Sequence, residues 1–171
     1  TQEYMLPTLF DVQDVAANDV LNIRETPDAK AAIIGTLAPD ATGIEVVGTD
    51  RSGQWGQVNA GERAGWVAMR FLTNRTDVWQ PRALPAGFTC GGTEPFWSVQ
   101  TVENGLVLTQ PGMDERKLTL RKVMDRGIEG EPMRGIIAGD DKGRLTAVIQ
   151  PQQCSDGMSD RAYALAVTVI M

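Results

Sequence analysis

The chain has 171 residues, 42% of them hydrophobic, and carries 16 Lys and Arg against 22 Asp and Glu, a formal charge of −6. That length allows one large domain or two small ones, with enough apolar content for a core in either case. The acidic balance argues against a phosphate-reading surface for nucleic acid or anionic lipid, and no apolar run approaches the ~20 residues needed to cross a bilayer as a helix.

Histidine is absent. Ser-His and Cys-His nucleophile pairs, imidazole bases and His-ligated zinc are therefore excluded together. Two cysteines are too few for a Cys₄ zinc site, and no glycine-rich phosphate loop is present. Carboxylates, Lys, Tyr and Ser remain, with no spacing that singles them out. No catalytic residue, metal site or cofactor is expected. The sequence opens at Thr1-Gln2-Glu3 with neither a charged n-region nor an apolar h-region, so an export signal is expected to lie outside it. Charge is uneven along the chain: residues 1–74 hold five basic against ten acidic residues, and residues 75–171 hold eleven against twelve.

In chain order, Leu9 to Val15 is expected to form a first strand or extended arm, ending near Asn18-Asp19. Val20-Leu21-Asn22-Ile23-Arg24 alternates and is broken by Thr26-Pro27-Asp28. Ile33 to Leu37, a turn at Pro39-Asp40, and the β-branched run Ile44 to Gly48 follow. After the turn Asp50-Arg51-Ser52-Gly53 come Trp55-Gly56-Gln57-Val58 and Gly65-Trp66-Val67, separated by Asn59-Ala60-Gly61-Glu62. Short strands at regular spacing, punctuated by Gly, Pro and Asp, predict a small β-barrel.

Leu21-Asn22-Ile23-Arg24 with Pro27, Ile34-Gly35-Thr36-Leu37, Gly43-Ile44-Glu45-Val46, Trp55-Gly56-Gln57-Val58 and Gly65-Trp66-Val67 with Phe71-Leu72 resemble the bacterial SH3-like (SH3b) domain over about residues 19–73. The resemblance implies an envelope or secreted module, and several members of that family bind peptidoglycan or peptides. One position departs from the pattern: the residue after the fourth-strand tryptophan is often aromatic in the family and is Gly56 here. With only Trp55, Trp66 and Phe71 as aromatics in the matched segment, a barrel that merely spaces or docks the next domain is as well supported as a ligand-binding one.

Asn74 to Gly87 lacks periodicity and holds Pro81 and Pro85, which predicts a linker, although Trp79 is expected to pack against a domain. The expected boundaries are an SH3b-like domain at 1–74, a linker at 75–87 and a second domain at 88–171. From Phe88 onward the pattern is again β. Phe96 to Val102 turns at Glu103-Asn104-Gly105 into Leu106-Val107-Leu108. Leu118 to Leu120 follows, then a hairpin of Met133 to Ala138 with Leu145 to Ile149 across Gly139 to Gly143. In the last run Tyr163, Leu165, Val167 and Val169 share one face, opposite Ala162, Ala164 and Ala166. The fold class is all-β: an SH3-like small barrel, then a second antiparallel barrel or sandwich of six or seven strands.

Cys90 and Cys154 each sit beside glycine, acidic and turn-forming residues next to an apolar run. If joined, they close a loop of 64 residues, worth roughly 4 kcal/mol in the chain-entropy model; two buried thiols are the alternative. Cys90-x-Gly92-Thr93-Glu94-Pro95-Phe96-Trp97-Ser98 together with Cys154-x-Asp156-Gly157-Met158-Ser159-Asp160-Arg161-x-Tyr163 resembles a family of uncharacterised bacterial envelope proteins, often lipoproteins. That resemblance implies export and pairing of the two cysteines, and carries no activity. Such proteins commonly have a further cysteine near the C-terminus, which this sequence lacks.

A Cys90–Cys154 disulfide would gather Glu94, Asp156, Asp160 and Arg161, a set able to hold a cation, a sugar or an amine. Turn, cap and ion-pair roles account for the same residues. Trp55 is the candidate ligand-facing aromatic of the first domain. Asp140-Asp141-Lys142-Gly143 lacks the alternating oxygen ligands of a calcium loop and is expected to be a hairpin turn. The expected function is a non-catalytic envelope module, periplasmic or at the outer envelope, that binds peptidoglycan or an envelope protein. A protein-binding inhibitor or assembly factor is second, and a carboxylate-based carbohydrate-active enzyme trails.

Overall fold

The computed structural model describes residues 4–171. The chain divides into two compact units, one formed by residues up to Val78 together with Gln152–Ala164, the other by Trp79–Pro151 with Leu165–Met171. Both are built from strands, and the described residues contain a single turn of 3-10 helix, Met69–Phe71.

The first unit is a small SH3-like region. Its strands are β1 (Thr8–Val12), β2 (Leu21–Arg24), β3 (Ile33–Leu37), β4 (Ile44–Val46), β5 (Gly48–Thr49), β6 (Trp55–Ala60), β7 (Arg63–Ala68) and β8 (Leu72–Asn74). They form a three-stranded sheet in the order β4-β1-β8 and a five-stranded sheet in the order β3-β2-β7-β6-β5. Alternation decides which face is inward. Leu21 and Ile23 of β2, Val58 of β6 and Val67 of β7 are buried with Phe10 of β1 and Val46 of β4 in one core. The first strand stops at Val12 rather than reaching Val15. Gln13 instead spends its side-chain amide on the carbonyls of Arg70 and Leu72, and Asp14 turns the backbone at φ 57°.

The second unit is a nearly closed barrel. Strands β9 (Thr89–Thr93), β10 (Phe96–Val102), β11 (Gly105–Thr109), β12 (Arg116–Met124), β13 (Arg134–Gly139), β14 (Arg144–Cys154) and β15 (Tyr163–Ile170) lie in the order β15-β14-β13-β12-β11-β10-β9, a meander in which each strand pairs with its sequence neighbour. The short turns make this order: Val102 opposes Gly105 across Glu103-Asn104, with Asn104 at φ 59°, a conformation Asn tolerates. Every second residue points inward, so Leu106 and Leu108, Ile136 and Ala138, and Leu145 and Ala147 meet in a common core. Leu165, Val167 and Val169 pack against that core from β15, as their alternation predicts.

Trp79 is buried at 7% exposure. Its ring meets Phe88 edge-on at 6.1 Å, and the Arg134 guanidinium lies 5.3 Å from its centroid. Arg134, only 2% exposed, donates to the carbonyls of Gln80 (2.9 Å) and Ala83 (3.0 Å) on this approach segment and to those of Glu131 and Met133. A buried guanidinium needs such a set of acceptors. The Asp140 turn is structural as expected: its Oδ1 accepts from the amides of Lys142 and Gly143, and Arg116 grips both carboxylate oxygens.

The expected disulfide is absent. Cys90 and Cys154 are not bonded to each other. Cys90 opposes Val99 in the β9–β10 ladder and turns its side chain into the barrel core, where burial pushes its thiol up to about 11. Cys154 is exposed at the end of β14. One sulfur is a core packing element and the other a surface group, so matching sequence contexts did not mean matching environments.

Candidate functional site

Asp156, Asp160 and Arg161 lie in the segment Gln152–Ala164, which belongs to the first unit, whereas Glu94 is an exposed turn residue of the second. The crosslink that was expected to gather all four does not exist, and the arrangement around Asp156 has a different basis.

Asp156 closes a knot within the segment. Its Oδ1 accepts from the backbone N–H of Met158 (2.9 Å) and Ser159 (2.8 Å), and its Oδ2 from the Ser159 hydroxyl (2.8 Å) and the Tyr163 hydroxyl (3.3 Å). These donors, the Met158 amide foremost, hold its carboxyl down to about 2, as expected where several hydrogen bonds favour the charged form. The sequence motif Asp-Gly-Met-Ser is thus an Asx-type turn.

Beyond that knot the chain runs parallel to the start of β7. The Asp160 amide donates to the Glu62 carbonyl (3.0 Å), and the Asp160 carbonyl accepts from the Ala64 amide (2.9 Å), a parallel bridge centred on Arg63. β2 pairs with β7 only at Arg24 and Trp66, so before that point β7 finds this backbone partner in Asp160. The Asn59 side chain receives the Ala162 amide on its oxygen and donates its nitrogen to the Ala162 carbonyl, both at 2.9 Å. Arg161 Nη1 donates to the Gly61 carbonyl (2.9 Å), its guanidinium lies 5.9 Å from the Tyr163 ring centroid, and its Nε is enclosed with no hydrogen-bond partner. Glu45 of β4 is an exposed residue with a partly desolvated carboxyl. Desolvation raises that carboxyl above its usual range, and the charge of Arg161 partly offsets the rise.

Trp55 of β6 is part-buried and opposes Ala68, while Gln57 opposes Trp66. With Gly56, Val58, Gly65 and Val67 inward, Trp55, Gln57, Asn59 and Trp66 share the outward face. The two indoles are diagonal neighbours there. At Gly56 a Cβ would lie 2.5 Å from Met69 Sδ, so any side chain after Trp55 requires Met69 to move.

Sequence reasoning missed Asn59, which looked like one polar residue of a turn. Nothing local marks it, since its partner lies far along the chain. No group of metal-binding side chains occurs among the described residues, and no described helix is long and apolar enough to cross a membrane.

The sequence model of the bacterial SH3 domain family matches residues 19–73, the span that folds here from β2 through β8. The match reaches neither the second unit nor either of the two cysteine motifs. No curated protein and no solved structure matches the chain.

Proposed function

We propose that this chain is an exported, non-catalytic binding module of the bacterial cell envelope, whose ligand is peptidoglycan or an envelope protein. The observation that carries the reading is the bacterial SH3 domain at residues 19–73. Its outward face presents Trp55 and Trp66 with the amide of Gln57, groups suited to stacking and hydrogen bonding. Asp156 itself is not suited to acid–base work. A carboxyl held near 2 by four donors is fully ionised at neutral pH and already occupied, which makes it a poor general acid or base. The test is sedimentation of the full chain with purified sacculi. Retention in the pellet, lost in Trp55→Ala and without release of soluble muropeptides, is the expected result; soluble fragments would show catalysis and overturn the reading.

A further inference from the structure

The contacts between Asp160–Ala162 and the β6–β7 turn have the chemistry of peptide recognition. Two bonds join backbone to backbone at the open start of β7. A further two come from one amide side chain, Asn59, to the N–H and carbonyl of a single residue. Reading of this kind is indifferent to side chains and is how an extended peptide adds to a sheet edge. The one side chain that is read is basic: Arg161 reaches the Gly61 carbonyl on a part of the chain, residues 1–74, with twice as many acidic as basic residues.

The segment that fills this place starts from the end of β14 and leads into β15, and between those strand ends it has little apolar anchoring. Gln152 to Ser155, Gly157, Met158 and Asp160 are all exposed, Met158 at 69%. Apart from Tyr163 and Ala164 at its end, the segment is held by hydrogen bonds and little apolar burial. Segments held this way open locally at a free energy below that of global unfolding.

We propose that Asn59, Gly61, Glu62 and Ala64 form a peptide-reading edge occupied by the chain's own Asp160–Ala162, and that an extended peptide bearing an arginine or lysine takes that place when the segment lets go. The contact is autoinhibitory, since a docked segment lowers apparent affinity for an outside peptide by the fraction of molecules that are open. This goes beyond the envelope-module reading, and failure of sacculi to retain the chain leaves it intact.

Two measurements on the full chain test it. Hydrogen exchange of the Asp160, Ala162 and Ala64 amides is expected to run faster than that of Val58 and Val67, through local opening; equal protection at all five would overturn the proposal, because the segment would then part only on global unfolding. A fluorescein-labelled peptide copying residues 158–163 is then titrated by anisotropy. Asp156→Ala/Arg161→Ala, which unties the knot and removes the Gly61 contact, is expected to bind at least about tenfold tighter than the wild type. Adding Asn59→Ala should abolish that binding, and exchanging the peptide's arginine for glutamate should do the same. Arg161→Ala alone serves if the double variant does not fold. No saturable binding to an opened variant, or binding indifferent to Asn59, overturns the proposal.

Discussion

Asn59 and Ala162, 103 residues apart, exchange two hydrogen bonds of 2.9 Å. One side chain thereby satisfies both backbone groups of a distant residue, and its loss leaves both to find water. Asn59→Ala is expected to cost about 1–3 kcal/mol, read as a lower urea midpoint for the first unit. Asn59→Asp keeps an acceptor for the Ala162 amide but loses the donor, and should fall between the two. An alanine variant as stable as wild type would mean the pair is solvated at no cost.

Acid should weaken both units. The Asp140 carboxyl is held down to about 2 by Arg116 and by its turn amides, and that of Asp156 to about 2 by the amides of Met158 and Ser159. Both folded values lie below the unfolded one of about 4. The stability they contribute is fully present above about pH 4 and is lost as pH falls toward 2. Thermal melts between pH 5 and 2 should show this slope, and Asp140→Asn and Asp156→Asn should each flatten it while lowering stability at pH 7. Slopes unchanged in both variants would assign the acid sensitivity to other carboxylates.

Arg134 is the pin of the second unit. It bonds four carbonyls and lies over Trp79 while almost fully buried. Arg134→Met leaves those carbonyls without their donor and should cost about 3 kcal/mol or more. Arg134→Lys keeps a charge but not the planar fork, and should recover only part of it. The measurements are urea unfolding and Trp79 emission, which should shift to the red as the approach segment detaches.

The thiols should differ sharply in reactivity. With Cys90 pushed up to about 11, only about one molecule in a thousand carries its thiolate at pH 8, and the group faces the core. Exposed Cys154 should label first under native conditions, with Cys90 following only on unfolding. Two labelled thiols in denatured, unreduced protein are expected. None would mean that the protein in solution carries the crosslink that the structure lacks.

Alternation and turn chemistry made the strands legible. Asp140-Asp141-Lys142-Gly143 was readable as a hairpin because its hydrogen bonds are local, and Leu165, Val167 and Val169 because their period is two. The site was not readable in the same way. Asp160, Arg161 and Ala162 follow Cys154 in sequence, and the expected crosslink groups that stretch with Cys90 and Glu94, yet their contacts are with Asn59, Gly61, Glu62 and Ala64, while Asp156 bonds Met158, Ser159 and Tyr163. Those contacts are backbone bonds and one amide, which leave no compositional mark. A shared motif around each cysteine suggested a bond, whereas strand register sends Cys90 inward.

Gly56 and Gly65 test how tightly the SH3-like core is closed. A Cβ on Gly56 would meet Met69 Sδ at 2.5 Å and Val46 Cγ1 at 3.1 Å; one on Gly65 would meet Ile23 Cγ2 at 2.5 Å, Ile34 Cδ1 at 2.8 Å and the Arg24 carbonyl oxygen at 3.0 Å. Met69 is unbranched and can swing aside. Ile23 is β-branched and the Arg24 oxygen is backbone, so neither can yield without disturbing β2. Gly56→Ala is expected to cost about 1 kcal/mol and Gly65→Ala about 3 kcal/mol, the two ends of the usual range for overpacking. Combining Gly56→Ala with Met69→Ala should cost less than the two single changes added together, because the clash disappears with the side chain that makes it. Urea midpoints of the four variants decide the matter: equal costs for the two glycines would show that β2 and Met69 yield alike, and that the glycine after Trp55 is not fixed by the sulfur packed against it.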